Sequence, residues 1–133
     1  MTLLVLVCHA PLGQALHAVA CHAFGRYIAD VVVADIAANS SLDEATATIE
    51  KIWRHEGSPT EVLLLVDLLG ATPSNAASAW LSLHKDIHAH GLTGVSVPML
   101  LKALTYRELP VAELAQKLAD CIAPTCADIT AAG

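Results

Sequence analysis

Leu3-Leu4-Val5-Leu6-Val7 and Val62-Leu63-Leu64-Leu65-Val66 are two unbroken apolar runs, and their reading decides the fold. Successive side chains of a strand point to opposite faces, so a run that is apolar at every position needs cover on both sides. That is the pattern of central strands in a parallel sheet. Ile28 to Val33 adds a β-branched run, and Gly94 to Val97 reads as a shorter, alternating fourth strand. Helical periodicity follows each strand. Leu12, Leu16, Val19 and Ala23 share one face, as do Leu42, Ala45, Ile49 and Ile52. Asn75 to Leu83 reads as a third helix, and Val111, Leu114, Leu118 and Ile122 line a last one. Ser41 with Glu44 forms a capping box at the second helix entrance, and Pro110 stands near the first turn of the last. Strands alternating with helices predict right-handed crossovers. The expected fold is doubly wound α/β: a mostly parallel sheet of four to five strands, order 2-1-3-4, with helices on both faces.

A chain of 133 residues, 55% of them hydrophobic, can close one core and is too short for two ordinary domains, so residues 1–133 are read as one domain. Its apolar stretches stop well short of the ~20 residues a membrane helix needs. No basic leader precedes the first strand, and a cytoplasmic location is expected. The formal charge of -6 comes without any basic cluster, which argues against nucleic acid. Cys8, Cys21, Cys121 and Cys126 show no C-x-x-C spacing and read as free or buried thiols. The tail from Pro124 to Gly133 reads as either frayed or a late strand.

Ligands of open α/β sheets bind beyond the carboxyl ends of the strands, where the winding reverses. In the order 2-1-3-4 the first and third strands flank that point, so His9 and Asp67 are expected across one crevice. A carboxylate accepting the Nδ1 hydrogen of an imidazole fixes its tautomer and leaves the Nε2 lone pair as a nucleophile. Gly70-Ala71-Thr72-Pro73-Ser74-Asn75 is a polar loop running into a helix, whose N-H groups and hydroxyls suit an anion. Each feature has a plainer reading: a surface histidine, a turn aspartate, a helix cap. Their convergence favours nucleophilic or phosphate chemistry.

At these residues the chain resembles the IIA component of the mannose family of the bacterial sugar phosphotransferase system. The resemblance rests on Leu3 to His9, on Val66-Asp67-Leu68-Leu69-Gly70-Ala71-Thr72-Pro73-Ser74-Asn75-Ala76, and on Gly94-Val95-Ser96-Val97-Pro98-Met99-Leu100. It implies that His9 accepts a phosphoryl group and that Asp67 is its hydrogen-bonded partner. It puts Thr72 close to the phosphate, and the loop reading adds Ala71, Ser74 and Asn75 as expected phosphate-binding residues. It further implies the phosphocarrier protein HPr as donor, a IIB component as acceptor, no cofactor or metal, and a homodimer exchanging its C-terminal strand. Cys8-His9-Ala10 departs from the family's usual Thr-His-Gly. That change removes a hydroxyl and a glycine's backbone freedom.

A regulatory protein whose partner choice follows the phosphorylation of His9 is the main alternative. His84, His88 and His90, or His17 with Cys21, lack a standard four-ligand zinc spacing. Cys8 alternates with His9 along its strand and reads as a packing residue. An aspartyl-phosphate receiver would need an acidic pair after the first strand to hold magnesium, and His9 stands there instead.

Overall fold

In the computed structural model, which describes residues 1–130, four strands form one parallel sheet in the order β2-β1-β3-β4. They are β1 (Leu3–His9), β2 (Val31–Ile36), β3 (Glu61–Val66) and β4 (His88–Thr93). The helices are α1 (Leu12–Phe24), α2 (Leu42–His55), α3 (Thr72–Leu83), α4 (Val97–Thr105) and α5 (Val111–Asp120). This is the expected doubly wound arrangement and strand order. No helix among the described residues is long and apolar enough to cross a membrane.

The alternation of β1 and β3 splits the core in two. Leu4, Leu6, Cys8, Leu63 and Leu65 pack on one side against Leu16 of α1, Met99 and Leu100 of α4, and Leu114 and Leu118 of α5. Val5, Val7, Val62, Leu64 and Val66 face the other way, onto Ala45 and Ile49 of α2 and Ala76, Ala77 and Trp80 of α3. Both central strands are therefore sealed, and burying each such side chain is worth roughly 1.5–3 kcal/mol. His9 follows Val5 and Val7 in the alternation and so belongs to the face covered by α2 and α3.

Several boundaries differ from the sequence reading. The fourth strand is His88–Thr93, not Gly94 to Val97. As an edge strand with a mostly exposed or half-buried His-Ala-His-Gly-Leu-Thr pattern, it carries little apolar signal. Gly94 instead turns the chain at φ +79°. Ser96 then caps α4, its Oγ accepting from Met99 N at 3.2 Å, and Pro98 sits in the first turn, where no N-H is needed. The second strand begins at Val31, because Ile28 is a buried loop residue whose N-H meets Cys21 Sγ and whose carbonyl meets His17 Nε2.

α1 turns Gly13, Leu16 and Ala20 inward, whereas Leu12 and Val19 are exposed; small residues let this helix lie close to the sheet. α5 buries Val111, Leu114 and Leu118 as expected but ends at Asp120, leaving Ile122 exposed. The capping box at Ser41 and Glu44 is present in full. The four cysteines are free thiols. After α5 the chain makes a 3-10 turn, Ala123–Thr125, and Cys126 to Thr130 pairs with no strand of the sheet. The last three residues of the expected tail lie outside the described residues.

Candidate functional site

β1 and β3 are hydrogen-bonded neighbours, with Val7 in register with Val66. Asp67 follows Val66 directly and His9 stands two residues past Val7, and the two side chains meet at the carboxyl edge of the sheet. Asp67 Oδ2 accepts from His9 Nδ1 at 2.8 Å and from the His9 backbone N-H at 2.9 Å. Because an ionised carboxylate only accepts, this pairing places the ring hydrogen on Nδ1 and the lone pair on Nε2. The His9 side chain is 47% exposed and that of Asp67 only 10%, so the carboxylate is sunk while the imidazole faces outward. Asp67 Oδ1 is buried without a donor among the described residues. Little within the protein thus offsets its charge beyond what His9 offers.

Ala10, where the resembled family has glycine, needs no left-handed backbone. Among described non-glycine residues only Ser58 has positive φ. Cys8 is fully buried in the core. Its burial first, then the nearby charges of Asp67 and Asp35, push the thiol up to about 12, which keeps it protonated at neutral pH and unsuited to nucleophilic work.

α3 begins earlier than its periodicity indicated, at Thr72, with Ala71 as an extended N-cap that lends no side chain. Asn75 N-H is already bonded to Ala71 O at 3.0 Å, so Asn75 can offer only its exposed side chain. Pro73 has no N-H. The backbone N-H groups of Thr72 and Ser74 find no acceptor among the described residues. At each of the other four described α-helices a side chain takes at least one entrance N-H. Asp35 binds Gly13 N and Gln14 N of α1 at 2.8 and 3.2 Å, Ser41 caps α2, Ser96 caps α4, and Glu61 Oε1 accepts from Val111 N of α5 at 3.3 Å. Among the five described α-helices, α3 is the one whose positively polarised entrance receives no side chain, and it lies on the face to which His9 belongs.

Comparison with known proteins identifies the family. The family model described as PTS system fructose IIA component, of the mannose-type EIIA class, matches residues 3–121. The chain belongs to this family. A curated relative, the PTS system fructose-specific EIIA component of Bacillus subtilis (strain 168), is 44% identical over 48 residues; the match spans 36% of this chain and 32% of that protein. The phosphotransferase system component EIIA of Streptococcus agalactiae has the same fold, with TM-score 0.87 and 24% identity over 98% of this chain and 99% of that one. The mannose/sorbose specific IIA subunit of Enterococcus faecalis gives TM-score 0.82 and 22% identity over 94% and 92%.

Within this IIA fold, sequence reasoning overlooked Asp35 and Gly13. Asp35 interrupts the run Val31-Val32-Val33-Ala34 one residue before β2 ends. A carboxylate closing an apolar strand at the sheet's carboxyl edge was the available signal. The other histidines lie elsewhere: His84 stacks on Trp80 at the end of α3, and His88 and His90 belong to β4.

Proposed function

We propose that this IIA-family chain is a phosphoryl relay, accepting a phosphoryl group on His9 Nε2 from the phosphocarrier HPr and passing it to a IIB component. The observation that carries this reading is the Asp67 carboxylate, 2.8 Å from His9 Nδ1, behind an outward-facing ring. In the transfer, the Nε2 lone pair attacks phosphorus as the P-N bond to the donor's imidazole breaks. No proton must leave Nε2. The ring that forms keeps its Nδ1 hydrogen and carries positive charge, which the buried Asp67 carboxylate stabilises. Thr72 and Ser74 N-H groups, with the Thr72 hydroxyl, receive the phosphoryl oxygens at the α3 entrance, where donors fixed beforehand cost no reorganisation during transfer. Ala71 serves by leaving that entrance uncapped.

Leu68 and Leu69, 57% and 76% exposed, stand directly after Asp67 and supply an apolar rim that suits docking of another protein. The outer edge of β4 has no strand neighbour among the described residues and is available for a homodimer.

The test is incubation with phosphoenolpyruvate, enzyme I and HPr, read by intact mass. One acid-labile phosphoryl group that requires HPr and is absent from His9→Ala is expected, followed by its loss to a IIB protein. An unlabelled wild type would sink the relay. Labelling without onward transfer would leave phosphorylated His9 as a regulatory mark.

A further inference from the structure

Asp35 lies at the carboxyl end of β2, in register with Cys8 of β1 while His9 pairs with Ile36. It is thus about one strand spacing, roughly 5 Å along the ladder, from the segment that carries His9. Its two carboxylate oxygens divide between the N-H groups of Gly13 and Gln14, so it fills the entrance of the helix that starts three residues after His9. The sequence protects this arrangement. A Cβ on Gly13 would stand 2.4 Å from Asp35 Oδ1 and 2.8 Å from Val33 Cγ1, so a side chain there would force the carboxylate off the helix. Asp35 stands on β2 and Asp67 directly after β3, the two strands that flank β1, one on each side of the segment that carries Cys8 and His9.

We propose that Asp35 is a positioning residue for phosphoryl exchange: it closes the α1 entrance to the phosphoryl group and leaves α3 as the one helix end that receives it. The inference rests on the relay proposed above. α1 covers the face opposite α3 but starts three residues after His9; left uncapped, its entrance would be a second anion site at the same sheet edge and would hold phosphohistidine too well, since anions at helix entrances are stabilised. A filled and negatively charged entrance keeps the phosphoryl group loosely held and easy to give away, as a relay requires.

Asp35→Asn keeps the shape, removes the charge and leaves an oxygen for only one of the two N-H groups. The position of the phosphoryl exchange equilibrium with phospho-HPr is the readout, measured by phosphorus NMR on folded protein. It is expected to move about fivefold toward the phosphorylated chain, the scale of one helix-end charge. A purely structural role would lower the melting temperature and slow both directions without moving that ratio. If Asp35→Asn does not fold, Asp35→Ser, a neutral capping side chain, is expected to shift the ratio the same way. An unchanged ratio, or one moved toward phospho-HPr, overturns the role of Asp35 while wild-type labelling stands. A wild type that takes no label overturns the relay itself, and this inference with it.

Discussion

Two helices start beside His9 and Asp67, and they start in opposite ways. α1 follows His9 and enters against the Asp35 carboxylate, which takes the N-H groups of Gly13 and Gln14. α3 follows Asp67 and enters through Ala71, which offers nothing, so the N-H groups of Thr72 and Ser74 keep no acceptor among the described residues. An uncapped helix forgoes about 1 kcal/mol. That cost at α3, alone among the five described α-helices, is understandable if its entrance is kept for an external anion. On the proposed relay, local stability and function pull against each other at one entrance and agree at the other.

The two carboxylates differ just as sharply, since Asp35 serves a backbone and Asp67 serves an imidazole. Asp67→Asn is the largest expected effect. An amide can donate to Nδ1, which favours the tautomer with its lone pair there and its hydrogen on Nε2, and it removes the charge that stabilises the phosphorylated ring. The rate of phosphoryl acceptance should fall by about 10²–10⁴-fold, the range in which tautomer inversion acts elsewhere. Stopped reactions analysed by intact mass would measure it, and a loss under about tenfold would mean that Asp67 is a turn residue and not an orienting group.

Next in size is a change that makes α3 resemble α1. Ala71 has φ -109° and ψ 173°, the extended geometry of a capping residue, so Ala71→Asp is expected to place a carboxylate on the open N-H groups. Thermal stability should rise by about 1 kcal/mol, while phosphoryl acceptance drops by at least about tenfold through lost donors and added repulsion. The two readouts moving in opposite directions is the informative result. If stability rises and acceptance stays level, the α3 entrance is not the phosphate site.

How much of this was readable beforehand follows burial. β1 and β3 are apolar at nearly every position because both faces are sealed, so their existence, their neighbourhood and the meeting of His9 with Asp67 were legible. β4 was misplaced because an edge strand carries polar residues such as His88 and His90, while the more strand-like Gly94 to Val97 is a turn and a helix cap. The α1 face was misread because its inward residues include Gly13 and Ala20, whose value lies in smallness and not in hydropathy. Asp35 escaped notice for a related reason: its partners are backbone N-H groups, which no side-chain pattern records.

The far end of α3 offers the smallest and most local test of the contrast. Glu50 of α2 accepts through Oε1 from Trp80 Nε1 at 2.9 Å and His84 Nε2 at 2.7 Å, and through Oε2 from Arg54 Nε at 2.5 Å. α3 is therefore tied down by side chains at its C-terminal end and left open at its entrance. Burial raises the Glu50 carboxyl, but the bonds from Arg54, Trp80 and His84 outweigh it and hold the group below its ordinary 4.5. A folded value below the unfolded one means the stabilisation is complete above about pH 4.5 and is lost as pH falls through the lower folded value. Wild type should lose stability more steeply than Glu50→Gln across that acid window, by no more than about 1 kcal/mol for so partly exposed a cluster. Denaturant melts at several pH values would show it, and parallel curves would mean that Trp80, His84 and Arg54 bind a neutral acceptor as well as a charged one. Acceptance of phosphate at neutral pH should be the same in both proteins, because anchoring one end of α3 and opening the other are separable tasks.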